Sequence, residues 1–352
     1  MPNALLTGAI DALASGRDLS EAQAGEVLSE IMHGEVSEIQ IAGFLIALRA
    51  KGETVQELAG LARVMRELAA RVPIDRDDLL DTAGTGGGRS SFNVSTTAAL
   101  IAAGAGCAVA KHGNRSATSR SGSADLLEAL GARIDLGPAE VADCIREAGF
   151  GFMFAPAHHQ ATRYVVPVRR ELAVRTIFNM LGPLTNPAGA RRQLIGVSDA
   201  RFLETMAGAL ALLGVDRALV VAAEDGLDEV SASAPTRVVE VNGQELRSYV
   251  LSPAELGLDG EAETPAGGTP QQNAQLTEAI LRATPQAGAQ TPPGEAVATV
   301  NAGAAIYAAG AAATIGEGVQ AAREALLDGS AAEALARYVA ASRRLAPVGD
   351  AR

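Results

Sequence analysis

A chain of 352 residues is long enough to bury a sizeable core and to form two domains, and 48% apolar with 20% charged residues is ordinary for a globular protein. The formal net charge of −12 excludes a general nucleic-acid binder, which needs a basic footprint to displace counterions from phosphates. It does not exclude a phosphorylated small molecule, for which local positive charge, backbone N–H groups or a metal suffice.

Two cysteines, Cys107 and Cys144, are too few for a disulfide framework and lack metal-ligand spacing, so both read as small core residues. The N-terminus carries no basic flank before an apolar run, and the apolar stretches 98–103 and 304–309 are too short for a bilayer. The expectation is a cytoplasmic protein with no membrane partner.

In chain order, residues 1–72 read as a small helical bundle. Ser20 with Gln23, Ser37 with Gln40 and Thr54 with Glu57 have capping-box spacing, and Leu58, Leu61, Met65 and Leu68 follow a helical period. After Pro73 the pattern changes to short apolar runs of strand length, at 79–82, 107–110, 194–197 and 219–222, separated by helical stretches. That alternation predicts an α/β sheet with helices on its faces. Residues 238–241, the Asn242-Gly243 pair and residues 246–251 read as a hairpin. Residues 261–293 read as a loose Gly/Pro-rich excursion around one helix at 273–282, and 300–345 as helical.

Four constellations carry chemistry. Gly84-Thr85-Gly86-Gly87-Gly88 leads to Ser91, Asn93, Val94, Ser95 and Thr96, where glycine N–H groups and a helix mouth suit an anion. Lys111, His112, Gly113, Asn114, Arg115, Ser116, Ser119 and Ser123 cluster after a strand, where α/β sheets bind ligands. His112 reads as structural, with acid–base work as the alternative its ordinary pKa permits. Asp228 and Glu229 lie on a loop after a strand and suit a hard cation shared with phosphate oxygens; an acidic surface loop is the other reading. Sequence does not place that pair near the glycine loop. Last come Arg169 and Arg170, then the run from Arg175 to Pro187, where an arginine can hold a planar carboxylate and Gly-Pro and Asn-Pro mark turns. His158 and His159 have no ligand spacing and read as loop residues.

In this order the four stretches resemble the anthranilate phosphoribosyltransferase family along nearly the whole chain. The resemblance implies a small N-terminal helical domain, residues 1–72 completed by about 170–190. With it goes a larger α/β domain, residues 73–169 and 191–352, with a central sheet surrounded by helices. It also implies a homodimer and two magnesium ions. The reaction it implies joins anthranilate to 5-phosphoribosyl 1-pyrophosphate. Position by position, Gly84, Gly87, Gly88, Ser91, Asn93, Val94, Ser95 and Thr96 would contact substrate. So would Lys111, His112, Gly113, Asn114, Arg115, Ser116, Ala117, Thr118, Ser119 and Ser123. Arg169 would face the anthranilate carboxylate, with Gly84 and Asn114 beside the same substrate. Ser95 and Glu229 would bind one magnesium, and Asp228 with Glu229 the second. Lys111, Asp228 and Glu229 would carry catalysis.

One departure stands out. The family's loop usually reads Gly-Thr-Gly-Gly-Asp-Gly, whereas here Gly87 is followed by Gly88 and Arg89, and the loop is one residue shorter. Either the acid is lost outright, or Asp81 or a neighbouring acid stands in for it. The rival readings are a pyrimidine nucleoside phosphorylase-like enzyme and a catalytically silent nucleic-acid-binding relative; net charge and the Asp228-Glu229 pair oppose the second.

Overall fold

Four capped helices open the chain: Ala4–Ala14, Glu21–His33, Glu38–Lys51 and Val55–Glu67. The structure is a computed structural model, and it describes residues 1–116, 119–258, 262–282 and 291–347. Ser20 with Gln23 and Thr54 with Glu57 form the reciprocal boxes the spacing predicts, each cap contributing about 1 kcal/mol. Ser37 differs. Its side chain accepts from the Gln40 N–H, but the Gln40 amide accepts from the Asn3 N–H at 3.0 Å and donates to the Asn3 carbonyl at 2.9 Å. A long-range contact takes the amide that a local box would have used, fastening the third helix to the start of the first.

Seven strands form one sheet: β1 (Leu80–Gly84), β2 (Val109–Gly113), β3 (Phe150–Phe154), β4 (Arg192–Gly196), β5 (Arg217–Ala223), β6 (Thr236–Asn242) and β7 (Glu245–Leu251). Their order is β3-β2-β1-β4-β5-β6-β7, parallel from β3 to β5 and antiparallel for the last two. The chain runs outward from β1 in one direction through β2 and β3, and in the other through β4 and β5. The crevice at the carboxyl ends of β1 and β4 is therefore a topological switch point, where open α/β sheets bind ligands.

The hairpin forms as the Asn242-Gly243 pair predicts, with Asn242 opposite Glu245. β3 was not foreseen, and β2 extends past its apolar run to include Lys111 and His112, because both side chains are buried with partners. The helix expected at 273–282 spans Pro270–Leu281; residues 259–261 and 283–290 of the surrounding segment lie outside the described residues. The C-terminal stretch resolves into three helices, Glu295–Ala308, Ile315–Leu327 and Ser330–Leu345.

Two apolar clusters flank the sheet. One packs the C-terminal helices and Val94–Gly104 against one face. The other unites the first four helices with residues of the 165–184 region, the helix Leu203–Leu212 and the opposite face of β4 and β5. Cys107 and Cys144 are buried and unpaired. No helix among the described residues is long and apolar enough to cross a membrane.

Candidate active site

The register pairing Leu80 with Val109 sets Lys111 on β2 beside Thr82 on β1. The Lys111 ammonium, 1% exposed, donates to the Thr82 carbonyl at 2.5 Å and to the Thr82 hydroxyl at 3.1 Å, and lies 3.4 Å from Ser95 Oγ. Burial pulls its pKa down to about 8, against the opposing pull of Asp81 and Glu229. It remains mostly a cation at neutral pH.

Asp81 does not stand in for the missing loop acid. Its carboxylate is fully buried below the crevice, where it accepts from the His112 backbone N–H at 3.1 Å and from Asn186 Nδ2 at 2.8 Å. Burial raises its pKa to about 6, opposed by Lys111 and these donors. Its task is to fasten the end of β2 to the Asn186 turn, and an acid inside an apolar strand was the signal for it.

The structure settles what spacing could not: the acidic loop after β5 lies against the glycine loop after β1. The Gly86 N–H donates to Asp228 Oδ2 at 3.1 Å, and the Arg89 N–H donates to the Gly226 carbonyl at 2.7 Å. Arg89 also pairs with Asp225 at 3.2 Å. At the end of β4, a Cβ on Gly196 would collide with the Asp228 carbonyl, so only glycine admits this approach. Glu229 is pushed up to about 8 by burial and then by Asp228, with Lys111 and the Ser95 backbone opposing. Asp228 is raised by burial, with its own backbone, the Gly86 N–H and Arg175 opposing. Two carboxylates that resist joint ionisation, beside a serine hydroxyl, form an all-oxygen donor set suited to a hard cation.

The surrounding polar groups are ordered. Asn93 precedes the helix Val94–Gly104 without capping it by its side chain; instead it donates to the Ser121 carbonyl and accepts from Ser121 Oγ and Asn273 Nδ2. Thr96 Oγ1 is buried without a hydrogen-bond partner among the described residues, and Val94 is core. Asn114 accepts from the Arg115 N–H and, through its carbonyl, from Ser123 Oγ. The Ser116 and Ser119 hydroxyls lie 2.6 Å apart. Arg115 is directed elsewhere: its guanidinium pairs with Asp125 at 2.7 Å and Glu128 at 2.5 Å, over the Phe154 ring. Ala117 and Thr118 lie outside the described residues.

His112 is held by Gly182 at 3.1 Å and packs 5.0 Å from the His159 ring. Burial lowers its pKa to about 3, so it is neutral and structural here. His159 lies between helices as the loop reading expects, whereas His158 ends a one-turn helix, Ala155–His158. Both are buried, bonded to the carbonyls of Ala70 and Thr185 at 3.0 Å.

Two arginines lie on the segment between β3 and β4. Arg169, on the helix Val166–Leu172, sits over Phe178 at 5.3 Å, and burial alone lowers its pKa. Arg175 donates to the Gly86 carbonyl at 2.8 Å. Sequence reasoning named Arg175 only as the start of the run to Pro187 and gave it no contact of its own, since spacing does not show which loop it would meet.

A helical bundle set against a sheet with this crevice is the two-part architecture of the glycosyl transferase family whose models the chain matches. The chain matches the glycosyl transferase family helical bundle domain over residues 7–69 and the family's a/b domain over residues 76–332. It is 50% identical to anthranilate phosphoribosyltransferase of Rubrobacter xylanophilus, over 98% of this chain and 100% of that one. The crystal structure of the Thermus thermophilus anthranilate phosphoribosyltransferase superposes with a TM-score of 0.87 at 47% identity, covering 95% of this chain and 99% of that one. The Saccharomyces cerevisiae enzyme in complex with PRPP and Mg gives 0.87 at 27% identity, covering 97% and 99%. The chain belongs to the anthranilate phosphoribosyltransferase family.

Proposed function

We propose that the crevice between the glycine loop and the acidic loop transfers the phosphoribosyl group of 5-phosphoribosyl 1-pyrophosphate to anthranilate. The products are N-(5-phosphoribosyl)anthranilate and pyrophosphate, a step of tryptophan biosynthesis in the cytoplasm. The observation that carries this reading is the meeting of the glycine loop, the buried Lys111 ammonium and the Asp228-Glu229 pair at one switch point. Nucleoside phosphorolysis would have little use for the paired carboxylates, and a net charge of −12 opposes nucleic-acid binding.

Anthranilate's amine is neutral at pH 7 and a weak nucleophile, so departure of pyrophosphate is the demanding part. Lys111 holds a positive charge at the floor of the crevice, fixed by Thr82 before substrate arrives. The 84–88 loop, residues 91–96 and the 111–119 run with Ser123 would hold the donor. Arg169 forms no ion pair among the described residues and would orient anthranilate by its carboxylate, aligning the amine behind C1. Ser95 and Glu229 would hold one magnesium and Asp228 with Glu229 a second. The yeast relative's complex supports magnesium use. Bound there, the metal supplies positive charge for the leaving pyrophosphate.

The helical body would comprise residues 1–72 completed by about 170–190. Pairing of two copies through this body is supported by its exposed apolar side chains, Leu5, Ile39 and Ile46. Loss of anthranilate fluorescence on adding 5-phosphoribosyl 1-pyrophosphate and magnesium tests the reaction. No loss, with phosphorolysis of a pyrimidine nucleoside instead, would overturn it.

A further inference from the structure

Arg175 carries a full positive charge from the helical side onto the glycine loop. Its backbone carbonyl accepts from the Arg49 guanidinium at 2.8 Å, so the helix Glu38–Lys51 holds the residue in place. Its own guanidinium donates to the Gly86 carbonyl at 2.8 Å, and the Gly86 N–H in turn donates to Asp228. A Cβ on Gly87, whose φ is +81°, would collide with the Arg175 Nη1. The positive φ is what calls for glycine at 87, and the Arg175 guanidinium packs directly over that backbone.

The charge itself is not consumed. Arg175 is exposed and forms no ion pair among the described residues, although its field reaches both Asp228 and Asp199. A purely structural strut between two loops does not need an unneutralised guanidinium at the rim of an anion site. The backbone leading to it is also set against its preference: Ala173, two residues earlier, is the only non-glycine residue with positive φ among the described residues, at +50°. That turn ends the helix Val166–Leu172 and directs the chain to the loop.

We propose that Arg175 is a further donor-binding residue, presenting its guanidinium to the diphosphate of the phosphoribosyl donor. Because it is mounted on the helical side, donor binding and the docking of that side on the glycine loop become one event. The inference rests on the reading of the crevice as the phosphoribosyl-donor site. An arginine suits the task because its planar fork can keep the Gly86 carbonyl while offering a second edge to a phosphate.

Calorimetry with 5-phosphoribosyl 1-pyrophosphate and magnesium, without anthranilate, tests it on the full chain, Arg175→Ala, Arg175→Lys and Arg49→Ala. Thermal melts identify the folded variants. Arg175→Ala is expected to weaken donor binding at least about tenfold while the KM for anthranilate moves by about twofold or less. Arg175→Lys recovers only part, and Arg49→Ala, which keeps the charge but frees its mount, loses severalfold. Should Arg175→Ala not fold, Arg175→Lys decides by the same split. Donor affinity unchanged in a folded Arg175 variant, or an equal loss for both substrates, overturns the inference and leaves a strut. Absence of donor binding by the unmodified protein would overturn the reading of the site, and this inference with it.

Discussion

Gly86 and Asp228 lie 142 residues apart in sequence, yet the N–H of the first donates to the carboxylate of the second at 3.1 Å. That bond joins the two loops on which the proposed chemistry depends. It follows from topology: β1 and β5 both flank β4, so their carboxyl ends open on the same crevice. The loop one residue shorter than usual still closes, because Arg89 reaches the acidic loop through its N–H and its guanidinium.

Replacing Asp228 and Glu229 together by Ala is expected to lower kcat at least about 100-fold, since pyrophosphate would depart without its neutralising partner. The fold should survive: both residues sit on a loop and form no ion pair among the described residues, and their raised pKa values mark them as costly in the folded state. Circular dichroism with a stopped anthranilate assay checks both halves. A folded double variant with near-normal, magnesium-stimulated turnover would contradict the assignment.

Arg169→Ala should raise the KM for anthranilate by about 10- to 100-fold, the value of a charge-assisted contact of about 1.5–3 kcal/mol, with the donor little affected. Arg169→Lys should recover only part, because an ammonium lacks the fork that meets a carboxylate bidentately. Varying each substrate in turn measures the split. If the donor KM rose instead, Arg169 would belong to the phosphate site.

Local rules were legible and long-range ones were not. Ser20 and Thr54 announced their helices, and Asn242-Gly243 announced its hairpin, because caps and tight turns are decided within a few residues. Gln40 left its local box because Asn3 supplied a partner from another helix. β3 escaped notice because Phe150-Gly151-Phe152-Met153-Phe154, buried on both faces, lacks the alternation that marks a half-exposed strand. At the site, residue types pointed to Lys111, Asp228 and Glu229. What spacing could not supply was that Arg115 would turn to Asp125 and Glu128, or that Arg175 would reach Gly86.

The buried histidines predict a specific acid lability. His112 and His159 are held near pKa values of about 3 and about 4, chiefly by burial, against 6.5 when ordinary. The unfolded chain therefore binds protons that the folded chain refuses. Their contribution to stability is complete above pH 6.5 and is lost as pH falls through that window, by up to about 1.4 kcal/mol per pH unit for each group. Asp81, raised to about 6, acts in the opposite sense between its ordinary 3.8 and 6. The clean measurement is the difference between wild type and His159→Gln in urea unfolding from about pH 7 to about pH 4.5, a range that spans the ordinary histidine pKa. The wild type should lose more stability on acidification, and parallel curves would show that His159 titrates normally.

Ala173 supplies the last test, because its strain belongs to the backbone alone. At φ +50° and ψ 27° it closes the helix Val166–Leu172 in a left-handed conformation, with the Ala173 N–H donating to the Arg169 carbonyl. For a residue with a Cβ that conformation costs about 1–2 kcal/mol, whereas glycine adopts it freely. Glycine also loses more freedom on folding, about 0.5–1 kcal/mol, so the two effects partly cancel. Ala173→Gly should therefore gain up to about 1 kcal/mol in chemical denaturation, with an unchanged dependence on denaturant. Ala173→Val should lose stability, since a branched side chain tolerates positive φ poorly. If glycine destabilised the protein, the alanine methyl would have to be packing usefully, although Ala173 is exposed. Activity gives a second readout. Arg169 and Arg175 lie on either side of this turn, so the relaxed glycine variant should bind anthranilate and the donor more weakly even as it melts higher.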